Sequence, residues 1–345
     1  MRVGLVLGKF APLHQGHEFL IATAISECDH VVVMVYEDDC TTIPVRLRAK
    51  WIRSQFEGMS IEAIECYGCP QQVGYTAEIM AMHNQYILNT VGDKGITHFY
   101  SSEKYGAHVS NALGCVDRRV DEARASVPIC GTEIREYFDQ WAIRNPEIRG
   151  KISDNVYKDL VTKVLFVGAE STGKTTIAEA CARYYGTEWV PEYGAVYWAE
   201  NQVSGILSHA HLNVIAREQL RMEQELQLTA HKYLFCDTTV LTTKMFCDYY
   251  HGNSDAALTE KAETSMRDYD IVFVCETDVP FDSSQGRRPR EVNQAEHRKL
   301  IDELNLARIP WMLLSGSVQA RLDQVTNVLH KFDKFDRRMH PHDWK

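Results

Sequence analysis

The chain has 345 residues, 45% hydrophobic and 24% charged, and its 37 basic and 47 acidic side chains leave a formal net charge of −10. That length exceeds what one core usually supports, so two α/β domains of roughly 150 to 200 residues are expected. The acidic balance argues against nonspecific contact with nucleic acid or an anionic membrane, and no run approaches the ~20 apolar residues of a membrane span.

The N-terminus lacks the length and cleavage site of a signal peptide, and among the ten cysteines only Cys66 and Cys69 have CxxC spacing. Reduced thiols in a soluble, cytoplasmic protein are the expectation. Nothing in the sequence decides whether copies of the chain associate into a homo-oligomer.

Apolar runs alternate with helix-length amphipathic stretches, the pattern of mainly parallel sheets joined by crossover helices. In the first half the predicted strands are Val3 to Leu7, Val31 to Tyr36, Ile61 to Tyr67 and Thr97 to Ser101, with helices over His17 to Cys28, Val45 to Glu57 and Tyr75 to Val91. A second series runs through strands Lys163 to Val167, Tyr233 to Cys236, Ile271 to Cys275 and Trp311 to Leu313, with helices over Thr175 to Tyr184 and Leu212 to Ala230. The polar stretch from Arg144 to Gly150, carrying Pro146, sets the expected boundary near residue 150, giving domains 1–150 and 151–345.

Gly8-Lys-Phe-Ala-Pro-Leu-His-Gln-Gly-His17 follows the first strand and opens the first helix, at the carboxyl edge where parallel sheets bind ligands. His14 and His17 are spaced to converge on one anion, helix-start amides add positive potential, and Gly8 and Gly16 allow close backbone approach. Two isolated histidines near a helix start would more often be capping or surface residues. The full pattern, with Lys9 and Phe10, instead resembles the nucleotidyltransferase superfamily. Its second signature is matched by Ile129-Cys-Gly-Thr-Glu-Ile-Arg135, with Cys130 where serine is usual. The resemblance makes Thr132 and Arg135 phosphate contacts, Arg135 as a fork-shaped clamp on the β/γ-phosphates. Lys9, His14, His17 and Arg135, together with Mg²⁺, are expected to neutralise the leaving pyrophosphate. Ser101-Ser-Glu-Lys-Tyr-Gly106 resembles the segment with which NMN adenylyltransferases approach adenosine, a polar turn being the alternative; that resemblance implies that Tyr75 stacks on a nicotinamide ring, with core packing the alternative.

Gly168-Ala-Glu-Ser-Thr-Gly-Lys-Thr175 lies between an apolar strand and a helix, the setting of a P-loop. Backbone amides from Gly168 to Gly173, with Glu170, Ser171, Thr172 and Thr176 in the same cradle, would hold ATP phosphates. Lys174 would reach the β/γ-phosphates and Thr175 would bind Mg²⁺. Asp237 ends an apolar strand as a Walker B carboxylate does, and Glu192 follows another short strand. Both are general-base candidates between which the sequence does not choose. The segment Asp282 to Arg290, with Arg287, suits either a basic lid over the transferring phosphoryl group or a solvated loop.

A nucleotidyltransferase half followed by a P-loop half resembles the NadR family, which joins NMN adenylyltransferase and ribosylnicotinamide kinase activities. Arg46-Leu-Arg48 with Trp51, Glu192-Tyr-Gly194 and Asp237-Thr238 with Thr242-Thr243 add to the match. The resemblance implies that Glu192 and Asp237 hold nicotinamide riboside, that Tyr250 stacks on its pyridinium ring, and that NMN is carried on to NAD⁺. Thr239 stands where that family often has a second acid. The motif begins at Gly8, so no helix-turn-helix domain and no DNA-binding repression are expected. The rivals are a fusion acting on another phosphorylated acceptor and a low-turnover sensor of NAD⁺ and ATP.

Overall fold

The computed structural model describes residues 1–103, 106–139, 145–202, 206–279 and 290–336. The chain divides into two compact units, Met1–Tyr157 and Lys158–Lys345. Each is an α/β unit built on its own five-stranded, all-parallel sheet.

Unit 1 runs β1 (Val3–Gly8), α1 (Gln15–Glu27), β2 (His30–Tyr36), α2 (Val45–Gln55), β3 (Ile61–Cys66), α3 (Ala77–Val91) and β4 (His98–Ser101). It continues with α4 (Gly106–Leu113), β5 (Val116–Arg119), α5 (Gly131–Asp139), α6 (Pro146–Arg149) and the start of α7 (Asp154–Leu160). The sheet order is β3-β2-β1-β4-β5, so the chain reverses its winding beside β1 and opens a crevice between the ends of β1 and β4. Val3, Leu5, Val32, Met34 and Phe99 pack with Ile87, Val91 and Val109 as the core under the sheet. Burial of β1 and β2 explains their continuous apolar runs.

Unit 2 runs β6 (Thr162–Val167), α8 (Lys174–Tyr185), β7 (Trp189–Val190), α9 (Tyr193–Asn201), α10 (His209–Leu226), β8 (Tyr233–Asp237), α11 (Val240–His251) and α12 (Ala256–Ser265). It closes with β9 (Ile271–Cys275), α13 (Arg290–Leu306), β10 (Met312–Leu314) and α14 (Val318–Leu329). The order β10-β9-β6-β8-β7 again puts the first strand in the middle. Every residue of β6, β8 and β9 is buried. Phe166 stacks at 6.1 Å on Phe235 and 5.7 Å on Phe273, locking the three central strands together.

Helix starts follow capping side chains rather than the apolar pattern alone. His14 accepts from the Gly16 amide, so α1 begins at Gln15; Thr76 accepts from Ile79, so α3 begins at Ala77. Ser208 caps α10 in the same way, so that the helix begins at His209, three residues before Leu212. β5 carries Asp117, Arg118 and Arg119 on an exposed edge, and its charge hid it from apolar patterning.

Candidate functional site

In unit 1 the β1 to α1 turn, the end of β4 and the start of α5 border a cavity of about 520 Å³. Gly8, Lys9, Phe10, His14, Gly16, His17, Tyr75, Ser101, Thr132 and Arg135 all line it. Close approach requires the glycines: a Cβ on Gly8 would lie 3.1 Å from the Phe10 ring, and one on Gly16 would lie 3.1 Å from the His14 ring. His14 and His17 stack with centroids 3.7 Å apart, and the edge of Phe10 meets His17 at 4.9 Å. Arg135 donates to the Ala11 carbonyl at 2.7 Å and to the Thr132 hydroxyl at 3.1 Å, tying the second signature to the first. Lys9 pairs with Asp38 at 2.8 Å. Arg48, buried in α2, donates to the carbonyls of Lys9, Tyr36 and Ile43, fixing the base of that turn.

Electrostatics changes the part the histidines can play. Burial, reinforced by the Arg124 charge, lowers the His14 pKa from 6.5 to about 4, and burial with the neighbouring His14 and Arg124 pushes His17 well below its ordinary value. Both are therefore neutral near neutral pH, where the sequence reading had counted them as charge. The Gly16 amide donates to His14 Nδ1 at 3.1 Å, which puts the proton of the neutral ring on Nε2. Positive charge on the cavity wall is left to Lys9, Arg135 and Arg124.

Tyr75 is 73% exposed, so it is no core residue; it lies on the cavity wall. Ser101 is buried and donates to the Glu103 carbonyl at 3.3 Å. Lys104 and Tyr105 of the same segment lie outside the described residues.

In unit 2 the turn from β6 to α8 wraps over the end of β8. Gly168 (φ 147°) and Gly173 (φ 81°) take backbone angles that L side chains rarely adopt, and a Cβ on Gly168 would come within 2.8 Å of the Cys275 carbonyl. Lys174 is buried and donates to the Ala169 carbonyl at 2.8 Å. The Thr175 hydroxyl donates to Asp237 Oδ2 at 2.5 Å, while the buried Oδ1 of Asp237 has no hydrogen-bond partner among the described residues. A hydroxyl and a carboxylate so placed, with one carboxylate oxygen unsatisfied, suit a hard divalent cation.

Burial raises the carboxyl pKa of both Asp237 and Glu192, and the charges of Asp237 and Glu170 push Glu192 further against the opposing Lys174. Glu192 precedes α9 without capping it. Tyr250 lies on α11 against Phe246 and Tyr249. Thr176, next in α8 after Thr175, is exposed. Arg287 and the rest of the expected lid from 282 to 289 lie outside the described residues.

Several contacts had no motif to announce them. Asn293 of α13 accepts from the Glu170 amide at 3.0 Å and donates to its carbonyl at 2.8 Å. Arg321 of α14, itself buried, donates to the Thr172 carbonyl at 2.5 Å and pairs with Asp278. A further buried chain links Lys163 to Glu223 at 2.6 Å, Glu223 to the Tyr269 hydroxyl at 2.7 Å and Tyr269 to Thr239 at 3.1 Å. The available signal was a polar residue on a helix's apolar face, such as Arg321 between Val318 and Val325.

Residues 3–66 match the citrate lyase ligase C-terminal domain family, and residues 163–321 match the AAA domain family. The chain is 27% identical over 325 residues to the trifunctional NAD biosynthesis/regulator protein NadR of Escherichia coli, covering 88% of this chain and 76% of that protein. Against the NadR of Salmonella typhimurium it is 27% identical over 300 residues, covering 81% and 70%. The crystal structure of a NadR protein in complex with NAD and AMP-PNP covers 96% of each chain, with a TM-score of 0.54 and 19% identity. A second, in complex with NR, covers 96% of this chain and 95% of that one, with a TM-score of 0.55 and 19% identity. The structural likeness speaks for the fold, and the sequence kinship runs through both units. With a nucleotidyltransferase-like sheet followed by a P-loop kinase-like sheet, the chain is homologous to NadR over most of its length.

Proposed function

We propose that unit 2 phosphorylates nicotinamide riboside to NMN with ATP, and that unit 1 adenylylates NMN with a second ATP to give NAD⁺ and pyrophosphate. The observation that carries this reading is the presence, in one NadR homologue, of two separate glycine-bearing strand-to-helix turns, each at the winding reversal of its own sheet.

In unit 2, Lys174 turns from the Ala169 carbonyl to the β/γ-phosphates. Thr175 and Asp237 would hold Mg²⁺, which would supply charge neutralisation on the transferring phosphoryl group. Asp237 is thereby committed to the cation, and Glu192, whose burial favours holding a proton, takes the role of base toward the riboside hydroxyl. Tyr250 stacks on the pyridinium ring, a cation on an aromatic face being favourable by roughly 0.5 to 2 kcal/mol. Gly168, Glu170, Ser171, Thr172, Gly173 and Thr176 complete the phosphate cradle.

In unit 1, the neutral His14 donates its N–H to the reacting phosphates with His17 stacked against it, and Lys9 and Arg135 supply charge to the leaving pyrophosphate. Thr132 orients Arg135 and Ser101 faces the adenosine, while Tyr75 covers the nicotinamide ring. No covalent intermediate is needed, because the NMN phosphate attacks the α-phosphorus in line and pyrophosphate departs.

Purified protein given nicotinamide riboside and MgATP should accumulate NAD⁺. Lys174→Ala should abolish formation of NMN yet still convert supplied NMN, and His17→Ala should stop at NMN. If either substitution removed both steps from a folded protein, the two-site reading would be wrong.

A further inference from the structure

The loop between β5 and α5 is built around one carboxylate. Asp121 accepts the amides of Ala125 at 2.8 Å, Ser126 at 3.1 Å and Val127 at 3.2 Å. Asp121 and Arg124 both adopt left-handed backbone angles, φ 49° and 50°, which non-glycine residues keep only where surrounding bonds over-determine them. The result is that Arg124 is held on the wall of the unit 1 cavity, which His14, His17 and Arg135 also line.

Its ion-pair partner there is Glu103, at 3.6 Å, with side chains 45% and 53% exposed. An exposed pair of that length shifts an equilibrium by about fivefold at most. Charge-assisted guanidinium to phosphate bonds are worth roughly tenfold to a hundredfold. A polyphosphate entering the cavity therefore outcompetes Glu103. The influence of Arg124 on both imidazoles is consistent with a cation close to where the phosphates must lie.

We propose that Arg124 is a further nucleotide-contacting residue of unit 1, exchanging Glu103 for the triphosphate of the incoming ATP and holding the pyrophosphate when the reaction runs backward. This rests on the adenylyl-transfer reading above. The loop, not a helix or a recognised motif, delivers the side chain, with Asp121 as its positioning residue.

The test uses the full chain with Arg124→Gln and Arg124→Lys, each checked for an unchanged melting temperature. With NMN saturating, the glutamine variant should raise KM for ATP by about tenfold or more, and KM for pyrophosphate should rise similarly in the reverse direction from NAD⁺. Lysine should recover part of the loss, keeping the charge without the fork. Wild-type KM values for both ATP and pyrophosphate in the glutamine variant would overturn the proposal, as would a rise confined to NMN. Should the glutamine variant fail to fold, the lysine variant decides: a raised KM for both supports the contact and wild-type values refute it. Binding of α,β-methylene-ATP in a Lys174→Ala background separates this from the reaction itself. Weaker binding in the glutamine variant sustains the contact even if the wild-type protein makes no NAD⁺, a result that would sink only the proposed reaction.

Discussion

The Thr175 hydroxyl donates to Asp237 Oδ2 at 2.5 Å, joining the start of α8 to the end of β8 across 62 residues of sequence. The two groups converge because β6 and β8 are neighbours in register, Phe166 opposite Asp237. Asp237→Asn keeps the shape but loses the negative charge that a divalent cation needs. The riboside kinase rate should fall by roughly a hundredfold or more, with a higher Mg²⁺ requirement, while NMN adenylylation continues. A kinase titration with Mg²⁺ that overlays the wild-type curve would remove Asp237 from the cation site.

The buried histidines make unit 1 sensitive to acid. Below pH 6.5 the unfolded chain takes up protons on His14 that the folded form refuses until about pH 4, so stability is complete above that window and lost as pH falls through it. The contribution reaches up to about 3 kcal/mol. Melting temperatures measured between pH 7 and pH 4 should drop for the wild type and drop less for His14→Gln. Equal slopes would mean that the folded protein binds the proton readily.

A different pH dependence is expected of the kinase step. Burial raises the Glu192 carboxyl above its ordinary range, so the group is protonated, and useless as a base, at a pH where an exposed glutamate is still ionised. The acid limb of kcat should therefore lie above the usual carboxylate range. Glu192→Gln should remove the limb together with most of the rate. A limb that survives this substitution belongs to another group.

Tyr269→Phe would leave the buried Glu223 Oε1 and the Thr239 hydroxyl without that partner, beside Thr238 at φ 65°. The cost should be about 1 to 3 kcal/mol in the urea unfolding of unit 2, since an unsatisfied buried acceptor loses more than one hydrogen bond is worth. A transition unmoved by the substitution would show that water takes over the role. The chain also gives Thr239 a structural occupation at the position where an acid was expected.

Much of the sheet architecture was readable because buried parallel strands must be apolar throughout. Ile271–Cys275 was bounded correctly from its sequence alone. The two strand-to-helix turns were readable because their glycines and lysines occur at fixed offsets from a strand end. The pattern failed where polarity did structural work: β5, with three charged residues in four, and Arg321, which sits in an apolar helix face because carbonyls await it there. It also misjudged the histidines, since a spacing in sequence carries no information about burial.

The grip of Arg321 on the Thr172 carbonyl has a consequence for the order in which the protein matures on the ribosome. The phosphate loop is translated early in unit 2, yet a bond that steadies it waits for a side chain 149 residues further on. Unit 1 carries its whole cavity lining by residue 135. During synthesis the nascent protein is therefore expected to acquire the unit 1 cavity well before the β6 to α8 turn of unit 2 is firm, domains generally folding as units from the N-terminus.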